Sequence, residues 1–116
     1  MYAECCGRYV DAYDDTRAPD AESLMRSRYS AYVLQREPYL LATWHPSTRP
    51  VGLEFDPTMK WLGLTVRAAA STGADHAEVE FVARSRVNGR GQRMHERSRF
   101  VRQEGRWFYV DGDMLN

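Results

Sequence analysis

The sequence predicts an α+β domain, with N-terminal helices packed on one face of a four-stranded antiparallel sheet. Three observations lead there. Residues 20–44 carry helical spacing punctuated by capping residues and prolines. Beyond residue 60 the apolar residues alternate instead. Two tight-turn signals, Asn88-Gly89 and Glu104-Gly105, then divide the second half into hairpins. Helices first and strands afterwards is the order of an α+β domain, with the helices gathered on one side of the sheet.

Each element has its own local reason. Residues 7–19 are polar, with Asp14, Asp15 and Pro19, and read as a loop. An arm over residues 1–19 and a single domain over 20–116 follow. Asp20 can cap the helix that opens at PDAESLMRSRYSAYVLQREP, and Glu22 suits its positive end. Pro38 stops that helix, because the residue before proline avoids helical geometry. Pro38 also starts a second, short helix, PYLLATW. HPSTRPVG breaks the pattern. WLGLTVRA, HAEVEFVARSRV, QRMHERSRFVR and RWFYVDG then alternate, joined by a turn near Gly73, by NGRG and by QEG.

Composition narrows the function classes. The 116 residues, 43% hydrophobic and 28% charged, suit one globular core. No apolar run approaches the ~18 residues of a membrane span. Polar and acidic residues follow Met1 where a signal peptide would be apolar, so the expected compartment is the cytoplasm. The formal net charge is zero, which argues against nucleic-acid binding by bulk electrostatics. Charge is nevertheless uneven. Eight arginines fall within residues 84–106, against Glu96 and Glu104. Such a stripe could bind a polyanion; its bland explanation is a solvated strand face.

Hairpin parity assigns the faces of the sheet. With two-residue turns, Ala83 opposes Met94, Phe81 opposes Glu96, and Val79 opposes Ser98. In the last hairpin Phe100 opposes Tyr109 and Ser98 opposes Asp111. Leu62, Leu64 and Val66 join this inner face. The outer face takes Arg67, Glu78, Glu80, Arg97 and Arg99, with Glu80 across from Arg97 and Glu78 across from Arg99, a ladder of opposite charges. Val82, Val101, Phe108 and Val110 share that outer face. They could be the interface of a homodimer or a surface covered by a loop. On the inner face, Glu96 is the informative oddity, since glutamate is almost never fully buried without a partner.

Several stretches resemble a known family. ECCGRY, AESLMRSRYSAYVL, YLLATWHPSTRP, VEFVAR and HERSRFVRQEGRWFYVDG are similar to the YchJ-like family of uncharacterised bacterial proteins, over nearly the whole chain. That family resembles the nuclear transport factor two-like superfamily, also called cystatin-like or SnoaL-like. The resemblance implies a curved sheet wrapped round the helices to form a cone with a pocket. It also implies a cysteine motif near the N-terminus, similar to the SEC-C motif, of which Cys5 and Cys6 match only the second pair. Four ligands are needed for a structural zinc, so these two alone are an incomplete half-site, and no cofactor is expected.

Within that cone the expected pocket residues are Arg28, Tyr32, Trp44, Phe81, Glu96, Ser98 and Tyr109. Glu96 and His45 are the candidates for acid–base chemistry, which needs a base and a separate donor for a developing oxyanion; Tyr32, Ser98 or Tyr109 could donate. His95 points to the opposite face by parity. Each residue also has a structural explanation. Glu96 could neutralise a buried arginine, the aromatics could be core, His45 could cap backbone in its loop, and Ser98 could bond Asp111. Arg28 lies in the helix stripe of Leu24, Met25, Tyr29, Ala31 and Tyr32, so a direct Arg28–Glu96 ion pair inside the cone is expected. Three functions follow: a pocket protein binding an unidentified small molecule, an isomerase- or dehydratase-type enzyme using Glu96, or a protein-interaction module. Binding is the favoured one.

Overall fold

The computed structural model describes residues 19–115; Cys5, Cys6 and most of the expected arm lie outside them. Two helices, α1 (Ala21–Val33) and α2 (Glu37–Ala42), precede four strands, β1 (Met59–Gly73), β2 (His76–Val87), β3 (Arg90–Gln103) and β4 (Arg106–Met114). The strands form one antiparallel meander in the order β1-β2-β3-β4, and the helices pack against its concave inner face.

Helix α1 begins where the sequence indicates. The Asp20 carboxylate accepts the Ser23 amide at 2.7 Å, satisfying one of the free donors of the first turn. The buried side of α1 is Ala21, Leu24, Met25, Ser27, Arg28 and Ala31. Gln35, at φ 56°, takes the chain out of α1. Pro38 sits in the first turn of α2, where its missing N–H costs nothing. The helices are joined in the core by a 2.6 Å hydrogen bond between the Ser27 and Tyr39 hydroxyls.

The turns at Asn88-Gly89 and Glu104-Gly105 have positive φ at both central residues, as two-residue hairpins require. They set the β2–β3 register as expected: Ala83 faces Met94, Phe81 faces Glu96, and Val79 faces Ser98. Phe100 faces Tyr109.

Bulges correct two of the face assignments. A register shift at Arg99/Phe100 leaves Val110 as an extra residue on β4. Ser98 therefore faces Gly112, and Asp111 moves across from Arg99, to the outer face. A second shift, between Trp61 and Gly63, makes Leu62 the extra residue on β1. Leu62 is 53% exposed, whereas Trp61 packs on the core.

The outer face carries an ion-pair ladder, with partners redistributed by the β4 bulge. Arg97 reaches both Glu78 and Glu80. Arg99 bonds Asp111 and Asp113 on β4 rather than Glu78. His95 bonds Glu80 at 2.8 Å. The outer apolar residues do not form an open patch: Val82 is fully buried within the single chain, and the His45 ring stands edge-on over Phe108.

The main core joins Leu24 and Met25 of α1 to Val79, Phe81 and Phe100 of the sheet. A smaller cluster gathers Ala31, Tyr39 and Leu40, with Tyr32, Leu53 and Phe55 packed against it. After α2 the backbone runs beside the β4 edge. Tyr109 donates to the Thr43 carbonyl and His45 donates to that of Tyr109, at 2.8 and 2.7 Å. This parallel bridge, Trp44 to Tyr109, closes one side of the space between helices and sheet.

Candidate functional site

Between α1 and the inner sheet face lies a cavity of about 250 Å³. Its walls are mostly aromatic and aliphatic: Tyr29 and Met25 from α1, Trp61, Phe81 and Phe100 from the strands. A polar wall is made by Arg28, Tyr32, Glu96, Ser98 and Tyr109. Trp44, expected to line the pocket, lies one ring behind it, edge-on to Tyr109 at 5.1 Å.

Arg28 and Glu96 both face this cavity, but they do not form the expected ion pair. Arg28 is 6% exposed. Its Nη1 donates to the Leu40 carbonyl at 2.8 Å and to the Thr43 hydroxyl at 2.6 Å. Its guanidinium carbon stands 5.1 Å from the Trp44 ring centre and 4.8 Å from that of Tyr109, within cation–π range. The last turn of α2 explains the choice. The Leu40 carbonyl near its end takes no backbone donor among the described residues and lies within hydrogen-bond reach of Arg28, whereas Glu96 does not. Burial lowers the Arg28 pKa from the ordinary arginine value, while Tyr32, Tyr109 and Tyr39 nearby oppose that.

Glu96 is held separately. Ser98 donates to its Oε2 at 2.7 Å, and the Tyr109 hydroxyl donates to the same oxygen at 3.3 Å. Tyr109 thus stands between the two charges, its ring against Arg28 and its hydroxyl on Glu96. The carboxylate fits because position 112 is glycine: a Cβ there would collide with Glu96 Oε2 and lie 3.0 Å from the Arg97 carbonyl. Sequence reasoning missed the apolar lining of Met25, Tyr29, Trp61, Ala83, Met94 and Phe100, taken there as core if at all, and it missed the space that Gly112 leaves for Glu96. The only signal for Gly112 was a glycine within a strand, which marks a bulge or a close approach.

His45 is not at the cavity. Its Nδ1 bonds Ser47 and its Nε2 bonds Gln103, at 2.7 and 3.0 Å, on the outer side of β4. The bridge to Tyr109 carries residue 45 past the sheet edge, so its ring falls on Phe108. No cluster of three or more metal-ligating side chains occurs among the described residues.

Desolvation raises the pKa of Tyr29, Tyr32 and Tyr109, with the Glu96 charge adding to the effect at the last two. Their folded values lie above the unfolded value near 10. This contribution to stability is complete below about pH 10 and is lost as pH rises through the folded values. In an alkaline titration followed by tyrosinate absorbance, these three should ionise together with unfolding. Smooth ionisation of every tyrosine near pH 10 in a chain that stays folded would contradict this.

Residues 20–112 match the family described as YchJ, middle NTF2-like domain. The chain belongs to this family. It is 66% identical over 111 residues to a UPF0225 protein of Polaromonas naphthalenivorans, covering 96% of this chain and 80% of the relative. A UPF0225 protein of Bordetella pertussis is 57% identical over 114 residues, covering 97% of this chain and 86% of the relative. Two solved structures share the fold. The solution structure of a SEC-C motif containing protein from Rhodopseudomonas palustris matches with a TM-score of 0.86 at 34% identity, covering 100% of this chain and 93% of the other. The crystal structure of a SEC-C motif containing protein from Psychrobacter arcticus matches with a TM-score of 0.81 at 31% identity, covering 100% and 73%. The chain is therefore an NTF2-like α+β fold, its described residues forming two helices on a curved four-stranded sheet. No helix among its described residues is long and apolar enough to cross a membrane.

Proposed function

We propose that this chain binds a small molecule inside the cone. The observation that carries the reading is the cavity of about 250 Å³, aromatic on most sides and polar on one wall. Apolar walls with a few placed polar groups are the usual make-up of a small-molecule site. Acid–base catalysis is less well supported. It needs a donor separate from the base, yet Ser98 and Tyr109 both donate hydrogen bonds to Glu96 itself, and the remaining hydroxyl, Tyr32, is bonded to Arg28.

The test is a thermal-shift screen of a metabolite library on the chain and on Ala83→Leu, since Ala83 lines the cavity and leucine fills it. A ligand at a hundred times its Kd stabilises by about 2.7 kcal/mol, or roughly 10 °C for a domain of this size. Hits should stabilise the native chain and leave the filled variant unmoved. If no compound raises Tm, or if hits stabilise both proteins equally, the reading fails.

A further inference from the structure

We propose that the ligand is a small zwitterion of amino-acid size with an aromatic or branched apolar body, its anionic group toward Arg28 and its cationic group toward Glu96. This rests on the binding reading above and names the ligand class.

The first support is a pair of opposite charges on one cavity wall that do not neutralise each other. The described contacts of Arg28 are the Leu40 carbonyl, the Thr43 and Tyr32 hydroxyls and the faces of Trp44 and Tyr109. All are neutral. A cation that is 6% exposed and touches no described carboxylate is costly to keep, and an anion beside it would offset that cost. Among the described residues Glu96 is likewise bonded only through Oε2, by two neutral hydroxyls. Its other oxygen accepts no hydrogen bond from the described residues.

The second support is that the separation is built in. Tyr109 occupies the space between the charges, packed against Arg28 at 4.8 Å and bonded to Glu96 at 3.3 Å. Arg28 is tied to the end of α2, and Glu96 is tied to Ser98. The two charges therefore both contact Tyr109 without forming an ion pair with each other. In a poorly solvated cavity this fixed dipole selects the opposite dipole. A purely anionic ligand would meet Glu96, a purely cationic one would meet Arg28, and a neutral one would leave both without a counter-charge. A zwitterion satisfies the two at once.

The third support is size and wall chemistry. A volume of about 250 Å³ is about eight waters' worth of liquid, which suits a molecule the size of an amino acid. The rings of Tyr29, Trp61, Phe81 and Phe100 surround the rest of the space, and they suit an aromatic or branched side chain.

Isothermal titration of the full chain with matched probes tests this. The probes are phenylalanine, tyrosine and leucine, the amine of each lacking the carboxylate, and the acid of each lacking the ammonium. At least one amino acid should bind tenfold or more tighter than both its amine and its acid, as expected for a buried charged hydrogen bond. In Glu96→Gln, which keeps the side-chain shape, its advantage over the acid should vanish. Ala83→Leu should abolish binding. An amine or acid that matches its amino acid, with binding still lost in Ala83→Leu, overturns the ligand class and leaves the pocket reading standing. If no probe binds, the ligand class is overturned; if the metabolite screen also finds no stabilising compound, the pocket reading falls with it.

Discussion

Arg28→Ala should lower the unfolding free energy by about 3–5 kcal/mol. Truncating a long buried side chain leaves a cavity, for which about 2–5 kcal/mol is typical. It also removes charged hydrogen bonds to the Leu40 carbonyl and the Thr43 hydroxyl, worth about 1.5–3 kcal/mol where they replace water, and cation–π contact with two rings. Relief from burying a charge offsets part of this, which keeps the total near the lower terms. Arg28→Lys keeps the charge but neither the planar stacking nor the donor fork, and should fall between the two. Urea unfolding with an unchanged m-value is the measurement. An Arg28→Ala unfolding free energy within about 1 kcal/mol of the native chain's would mean that Arg28 does not join α1 to α2 as described.

Gly112→Ala should cost about 1–3 kcal/mol, the range for forcing a group into filled space. The new methyl would displace the Glu96 carboxylate from Ser98 and Tyr109. The carboxylate is the far end of a flexible side chain, so it can swing aside; the Arg97 carbonyl, 3.0 Å from the same methyl, is backbone and cannot. A double-mutant cycle separates the two terms. Gly112→Ala should be distinctly milder in a Glu96→Ala background, without becoming neutral. Equal cost in both backgrounds would show that the collision with Glu96 is unimportant.

The two variants probe different links between sequence and site. Arg28 was legible as an inward-facing residue, because helical periodicity is a local property of its own segment. Its partner was not. Periodicity says which way a side chain points; it does not say which acceptor lies within reach. In the sequence, Glu96 was the obvious acceptor. In the folded chain the Leu40 carbonyl near the end of α2 was within reach, and Tyr109 contacted both charges. The loss of His45 from the site has a similar origin. Only the bridge to the β4 edge, a contact between residues 45 and 109, puts it on the outer side.

What the sequence by itself determined are the features whose causes lie within a few residues. The Asp20 cap, Pro38 opening α2, and the positive-φ turns at residues 88–89 and 104–105 are of this kind. Turn chemistry also carried the β2–β3 register along the whole hairpin, because that ladder runs without interruption. Tertiary structure alone decided the bulges at Leu62 and Val110. A bulge moves every later side chain to the other face, and its position is chosen by how the sheet curves round the helices. That choice sent Asp111 outward to Arg99 and brought Gly112 inward beside Ser98. The room for Glu96, and with it the polar wall of the cavity, exists only in the packed chain, because it depends on where one extra residue is inserted in the last strand.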